Sequence, residues 1–209
     1  MGKTIDQEDA IIESAKRVFI RDGFEKAKMQ HIADDAGISR TTLNYYYRTK
    51  DNLFYSLVSQ IFESLLPEFT TVLEKNNLSF TDRVCEMIDV YNDFIRSNSQ
   101  IPFFIISEIN RNPRLMSEFI QKNTKVNGYI SLLRERIAAT NKSDKVNVAL
   151  QMPIEEWLTL LYGLMFMPYM IAPMVEELYN GHDKKISEYY DHHVDNVKFI
   201  LRKLLAETN

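Results

Sequence analysis

The chain has 209 residues, 45% hydrophobic and 26% charged, as a globular protein of one large or two small domains has. A net charge of −4 excludes a surface that is basic throughout, yet leaves room for the local basic face that nucleic acid requires. One cysteine, Cys85, excludes an internal disulfide and fits a reducing cytoplasm.

In chain order, residues 1–5 read as a loose arm. Asp6, Glu8 and Asp9 precede the first apolar residues, so no signal peptide is expected. Asp6 is a candidate cap for a helix to about Asp22, with Ile11, Ile12, Ala15, Val18 and Phe19 on its core face.

The stretch from Lys28 to Lys50 reads as two short helices and a tight turn. Met29, Ile32, Ala33 and Ala36 recur at helical spacing. Gly37 follows, where a chain leaving a helix often needs positive φ. Ser39 can cap a second helix by accepting from a first-turn N–H, and Ile38 and Leu43 can staple its entry. On that second helix Leu43 and Tyr47 face inward, which leaves Arg40, Thr41, Asn44, Tyr45 and Arg48 on other faces, with Lys50 just beyond. Between Arg40 and Lys50 there are three cations and no acid. Arg can fork onto guanine, Asn can pair with adenine, and a Thr methyl can touch thymine. Tyrosine hydroxyls and lysines can hold phosphates. A helical hairpin with a merely polar face is the alternative.

These residues resemble the DNA-binding domain of the TetR family of transcriptional regulators. The resemblance rests on Ile32, Ala33, Ala36, Gly37, Ile38, Ser39, Thr42, Leu43, Tyr46, Tyr47, Thr49, Lys50, Asp51 and Leu53, and upstream on Ile11, Ile12, Ala15, Val18, Phe19, Gly23 and Phe24. It implies an all-α fold: an N-terminal three-helix helix-turn-helix DNA-binding domain over residues 5–65 (motif 28–47), and a C-terminal helical domain over 66–209 that binds an effector and dimerises. It implies a role for Arg40, Thr41, Asn44 and Tyr45 at base edges, and for Lys28, Thr42, Tyr46, Arg48 and Lys50 elsewhere on the DNA. Two features depart from the family pattern. Ala27 and Lys28 stand where a hydroxyl cap is usual, and Asn44 replaces a frequent tyrosine, which suggests an adenine reader.

Beyond the motif, Thr49 or Lys50 begins a helix to about Lys75 through Leu53, Leu57, Ile61, Leu65 and Phe69, whose first N–H groups suit a phosphate. Pro67 is expected to kink or split it. A helix from Ser79 or Thr81 to about Asn98 carries Val84, Met87, Ile88, Tyr91, Phe94 and Ile95 on one side, and Cys85 among them reads as a small hydrophobe. The apolar run Ile101–Ile109 is short enough for a strand but is assigned as helix beside helical neighbours. Asn112-Pro113 starts a helical region from Leu115 to about Ala139, followed by a polar loop from Thr140 to Asn147.

Residues Trp157 to Val175 contain no charge, a length that approaches a membrane span. Gly163, Pro168 and Pro173 interrupt the run and Glu155, Glu156, Glu176 and Glu177 flank it, so a core or interface helix broken near Pro168 is expected, with no membrane partner. The last helix, Asp183 to about Ala206, carries the stripe Ile186, Tyr190, Val194, Val197, Leu201 and Leu204. Two such faces suggest a four-helix homodimer interface with a symmetry mate, and the resemblance places the dimer there too.

Asp191, His192, His193 and Asp195 are metal-ligand types, but the histidines point about a hundred degrees apart and no helix face gathers three ligands. Neither a phosphate-cradling glycine loop nor a nucleophile–base–orienter pattern is present, so no enzyme, metal or cofactor is expected. The resemblance implies a cavity for a small lipophilic effector. Phe104, Tyr129, Trp157, Tyr162 and Phe166 are its candidate lining, among adaptable methionines such as Met165, Met167, Met170 and Met174. The expected function is a cytoplasmic, ligand-responsive repressor that binds a pseudo-palindromic site on double-stranded DNA as a homodimer. A helical small-molecule-binding or protein-interaction module that no longer binds DNA is the alternative.

Overall fold

The computed structural model describes residues 2–141 and 152–205, and every regular element among them is a helix. In order these are α1 (Gly2–Lys26), α2 (Met29–Asp35), α3 (Arg40–Tyr46), α4 (Lys50–Leu73), α5 (Phe80–Ser97), α6 (Ile101–Arg111), α7 (Pro113–Lys122), α8 (Thr124–Asn141), α9 (Ile154–Met170), α10 (Ala172–Leu178) and α11 (Asp183–Leu205). The all-α expectation holds, and Ile101–Ile109 lies in α6.

Several boundaries differ from the expected ones. Helix α1 begins at Gly2, not at Asp6, so residues 2–5 of the expected loose arm continue the helix. Near its far end Gly23 leaves helical geometry at φ 73, ψ 161, so the final turn is offset from the rest. Helix α4 continues through Pro67; that residue is exposed, where water can satisfy the carbonyl its ring frees. The region expected as one helix from Leu115 divides into α7 and α8 at Asn123, whose backbone is extended and whose amide donates to Ser59 Oγ at 3.0 Å. Most of the expected polar loop, from residue 142 on, lies outside the described residues.

The chain forms two compact units, and they do not follow a single cut near residue 65. The first takes residues up to Ser64 together with Phe104–Thr124; the second takes Leu65–Phe103 and the residues from Lys125 onward. In the first unit α1, α2 and α3 pack in sequence. Ile11, Ala15, Val18, Phe19, Ile32, Ala33, Leu43, Leu53 and Phe54 are all sealed from solvent. The rings of Phe19, Phe24 and Phe54 meet within 5.9 Å of one another, and Phe104 packs edge-on to Phe54 at 6.1 Å.

In the second unit α11 packs against α5 and α9. Val194, Val197, Leu201 and Leu205 from α11 join Val84, Met87, Ile88, Tyr91, Ile95, Trp157 and Met165 in one core. The stripe expected to meet a second subunit is therefore largely consumed within the chain. Exposed instead are Met167, Met170, Met174, Leu178, Phe199 and Ile200 on α9, α10 and α11. Among the described residues no single helix is long and apolar enough to cross a membrane; α9 and α10 pass that test only as a pair bent by 48°.

Candidate nucleic-acid interface and body cavity

Helix α3 is short, and an isolated helix of its length would not persist in water. It is held from three sides. Ser39 Oγ accepts from the Thr42 N–H at 3.0 Å, as its place before the helix predicts. Gly37 turns the chain at φ 66. Leu43 is fully buried and Tyr47 is 7% exposed, so both anchor the helix in the core of the first unit. Truncating a buried leucine of this kind costs about 2–5 kcal/mol.

That anchoring sends the other residues outward. Thr41, Asn44 and Arg48 are exposed, and Tyr45 is the most exposed large hydrophobic residue among those described, at 84%. Lys28 is exposed at the N-cap of α2, where it makes no side-chain cap bond, as its departure from a hydroxyl implies. Arg40 is half-buried, with Nη1 sealed from solvent and without a hydrogen-bond partner among the described residues. Thr42 turns back to the cap, its Oγ1 lying 2.8 Å from Ser39 Oγ. Tyr46 is half-buried and donates to Gln7 Oε1 at 3.1 Å.

Lys50 is placed differently from the exposed Lys28 and Arg48. Its ammonium does not stand free but donates to the carbonyls of Phe24, Glu25 and Ala27, and lies over the Phe24 ring. The carbonyls at a helix C-terminus lack partners of their own and sit at the negative end of its dipole, so a cation there is well placed. The first turn of α4 is also partly occupied, since Thr49 Oγ1 accepts from Asn52 N–H at 3.1 Å.

Glu108, which sequence reasoning passed over, has no exposed surface. It accepts from the Phe24 N–H at 3.1 Å and from Asn112 Nδ2 at 3.2 Å, with Arg111 Nη1 at 3.5 Å. A buried carboxylate must be satisfied in this way. Only its position in the otherwise apolar run of α6 could have signalled it. Elsewhere in the first unit Arg17 donates from Nε and Nη2 to Asp35 Oδ2 at 3.0 and 2.5 Å, fastening α1 to α2 and holding the Asp35 carboxyl below the usual range.

The second unit holds a half-open cavity of about 60 Å³ between α4, α5, α8 and α9. Tyr129 and Tyr162 line it. Phe166 stands behind the lining, its ring 5.5 Å from Tyr91 and 5.3 Å from Tyr162. Trp157 is 2% exposed in the surrounding core, and its Nε1 has no partner among the described residues. Phe104 is not part of the cavity; it belongs to the core of the first unit. The remaining lining includes Phe69, Val84, Met87, Ile88 and Tyr91. The signal available for it was a tyrosine within the buried stripe of α5. Burial pushes the hydroxyls of both Tyr91 and Tyr129 well above the ordinary tyrosine range.

A wider cleft of about 440 Å³ runs along α11, where Lys185, Glu188, His192 and His193 meet Tyr179 and Tyr189. His193 Nε2 lies 2.8 Å from the Leu164 carbonyl oxygen. Among the described residues no three His, Cys, Asp or Glu side chains come together to hold a metal ion.

Residues 11–57 match the family described as bacterial regulatory proteins, tetR family. The chain is 22% identical over 175 residues to the probable HTH-type transcriptional regulator YttP of Bacillus subtilis, covering 83% of this chain and 82% of that one. It is 24% identical over 156 residues to the HTH-type transcriptional regulator UidR of Escherichia coli (strain K12), covering 74% and 78%. In fold it is similar to the transcriptional regulator FadR from Bacillus subtilis, solved in complex with stearoyl-CoA, with a TM-score of 0.69 and 14% identity over 96% of this chain and 98% of that one. The turn at Gly37, the cap at Ser39 and the outward face of α3 lie inside the matched segment, so the similarity to the tetR family rests on the helix-turn-helix of residues 11–57.

Proposed function

We propose that the protein is a ligand-responsive repressor that binds a pseudo-palindromic operator as a homodimer and lets go when a small lipophilic effector enters the second unit. The observation that carries this reading is the outward set Thr41, Asn44 and Tyr45 on a helix anchored by Leu43 and Tyr47. Thr41, Asn44, Tyr45 and the outer part of Arg40 meet base edges, while Lys28 and Arg48 meet phosphates. Two copies place two such helices in successive major grooves, one helical turn apart.

The exposed apolar residues support dimerisation. Met167, Met170, Met174, Leu178, Phe199 and Ile200 are exposed on α9, α10 and α11, where a second copy can cover them. The cavity supports the effector, and the stearoyl-CoA held by the solved FadR supports its lipophilic character. An effector that prefers the released state by about 1–3 kcal/mol weakens DNA binding roughly 5–150-fold.

Fluorescence anisotropy against duplex DNA from upstream of the protein's own gene, with unrelated duplex as competitor, tests the reading. Saturable binding that survives competitor at a stoichiometry of two chains per site supports it. Equal binding to both duplexes would leave a helical small-molecule or interaction module in its place.

A further inference from the structure

Resting on the effector reading above, we propose that the effector is an uncharged, mostly apolar molecule carrying one hydrogen-bond acceptor, to which the Tyr91 hydroxyl donates.

The lining argues the class. Among the described residues that surround the cavity there is no Asp, Glu, Lys, Arg or His; its polar atoms are the hydroxyls of Tyr91, Tyr129 and Tyr162. A carboxylate or phosphate brought here would lose its hydration shell and meet no cation in exchange. Tyr129 and Tyr162 line the same cavity as Tyr91.

Tyr91 argues the acceptor. The residue is 7% exposed, and its hydroxyl is sealed from solvent without a hydrogen-bond partner among the described residues. A buried hydroxyl left unpaired is costly, so a group that satisfies it gains binding energy unavailable to a plain hydrocarbon. Burial holds Tyr91 neutral, which keeps it a donor.

The volume argues the size. About 60 Å³ is far less than a drug-sized molecule needs. A slim chain enters by displacing Met87 and Met165, whose unbranched side chains repack readily.

The test is calorimetry on the full chain without DNA, using four probes: 2-heptanone, its hydrocarbon isostere 2-methyl-1-heptene, heptanoate and octanoyl-CoA. The ketone is expected to bind about fivefold more tightly than the alkene, the difference of one neutral hydrogen bond, and more tightly than either anion. Tyr91→Phe is expected to erase the advantage of the ketone, to leave alkene binding unchanged, and to raise the Tm of the empty protein because it removes an unpaired polar atom. The proposal is overturned if heptanoate or octanoyl-CoA binds as tightly as the ketone, if the preference for the ketone survives in Tyr91→Phe, or if no probe binds at its solubility limit. DNA release is measured separately with the same ketone. Binding without release upholds the ligand class and overturns the effector reading.

Discussion

The Lys50 ammonium lies 2.7 Å from the carbonyl oxygen of Phe24 and 4.5 Å from the centroid of the same residue's ring. One lysine at the start of α4 thus closes the end of α1 both electrostatically and by cation–π contact. Two further carbonyls, of Glu25 and Ala27, complete its three donations. Lys50→Met keeps most of the apolar stem and removes the charge. It is expected to lower unfolding free energy by about 1–3 kcal/mol, because carbonyls are left without their partner. The slope of log affinity for DNA against log salt should stay as in the wild type, since no phosphate contact is lost. Denaturant titration and the salt series check the two halves; unchanged stability with a shallower slope would identify Lys50 as a phosphate contact instead.

Glu108 binds the same corner from the other side. Glu108→Gln replaces one acceptor oxygen by an amide that faces the Asn112 donor or the Phe24 N–H, and is expected to cost about 1–3 kcal/mol. Gly23→Ala is expected to cost about 1–3 kcal/mol, because φ 73 with ψ 161 is a backbone region that glycine alone ordinarily occupies. The added Cβ would also lie 2.3 Å from Arg111 Nη1, but that guanidinium is the far end of a flexible side chain and can move. Thermal unfolding of each variant checks the order.

Tyr169 gives the second unit a pH signature. Its hydroxyl donates to Oδ1 of the buried Asn92 at 2.5 Å, and burial pushes it up to about 12. The folded state therefore keeps a proton that the unfolded chain releases near 10. The resulting stability is complete below pH 10 and is lost as pH rises from 10 to 12. Tyr169→Phe should be less stable at pH 7 by about 1–3 kcal/mol, through the orphaned Asn92 oxygen. It should also lose less stability than the wild type between pH 10 and 12. Chemical unfolding at stepped pH reads both.

The helix-turn-helix was legible because its signals are local. Ser39 caps, Gly37 turns, and Leu43 and Tyr47 point inward, each dictated by neighbours a few residues away. The helices of the second unit were legible from periodicity for the same reason. What escaped depends on long-range pairing. Nothing near Lys50 in sequence says that its ammonium meets Phe24, and nothing near Phe104 says that it joins Phe54 rather than the cavity. The apolar stripe of α11 shows that the helix is covered, but not that α5 and α9 cover it. A single extended residue, Asn123, was enough to divide α7 from α8 without any glycine or proline to announce it.

Base reading by α3 is tested most directly by Asn44→Ala and Arg48→Ala in anisotropy titrations over operator variants and salt. Asn44→Ala is expected to weaken binding by about 1–3 kcal/mol and to lose preference at one base pair. Arg48→Ala is expected to weaken binding to every sequence alike and to reduce the salt slope by about one phosphate contact. Equal losses on all duplexes for both variants, with preference intact at every base pair in Asn44→Ala, would contradict the placement of α3 in the groove.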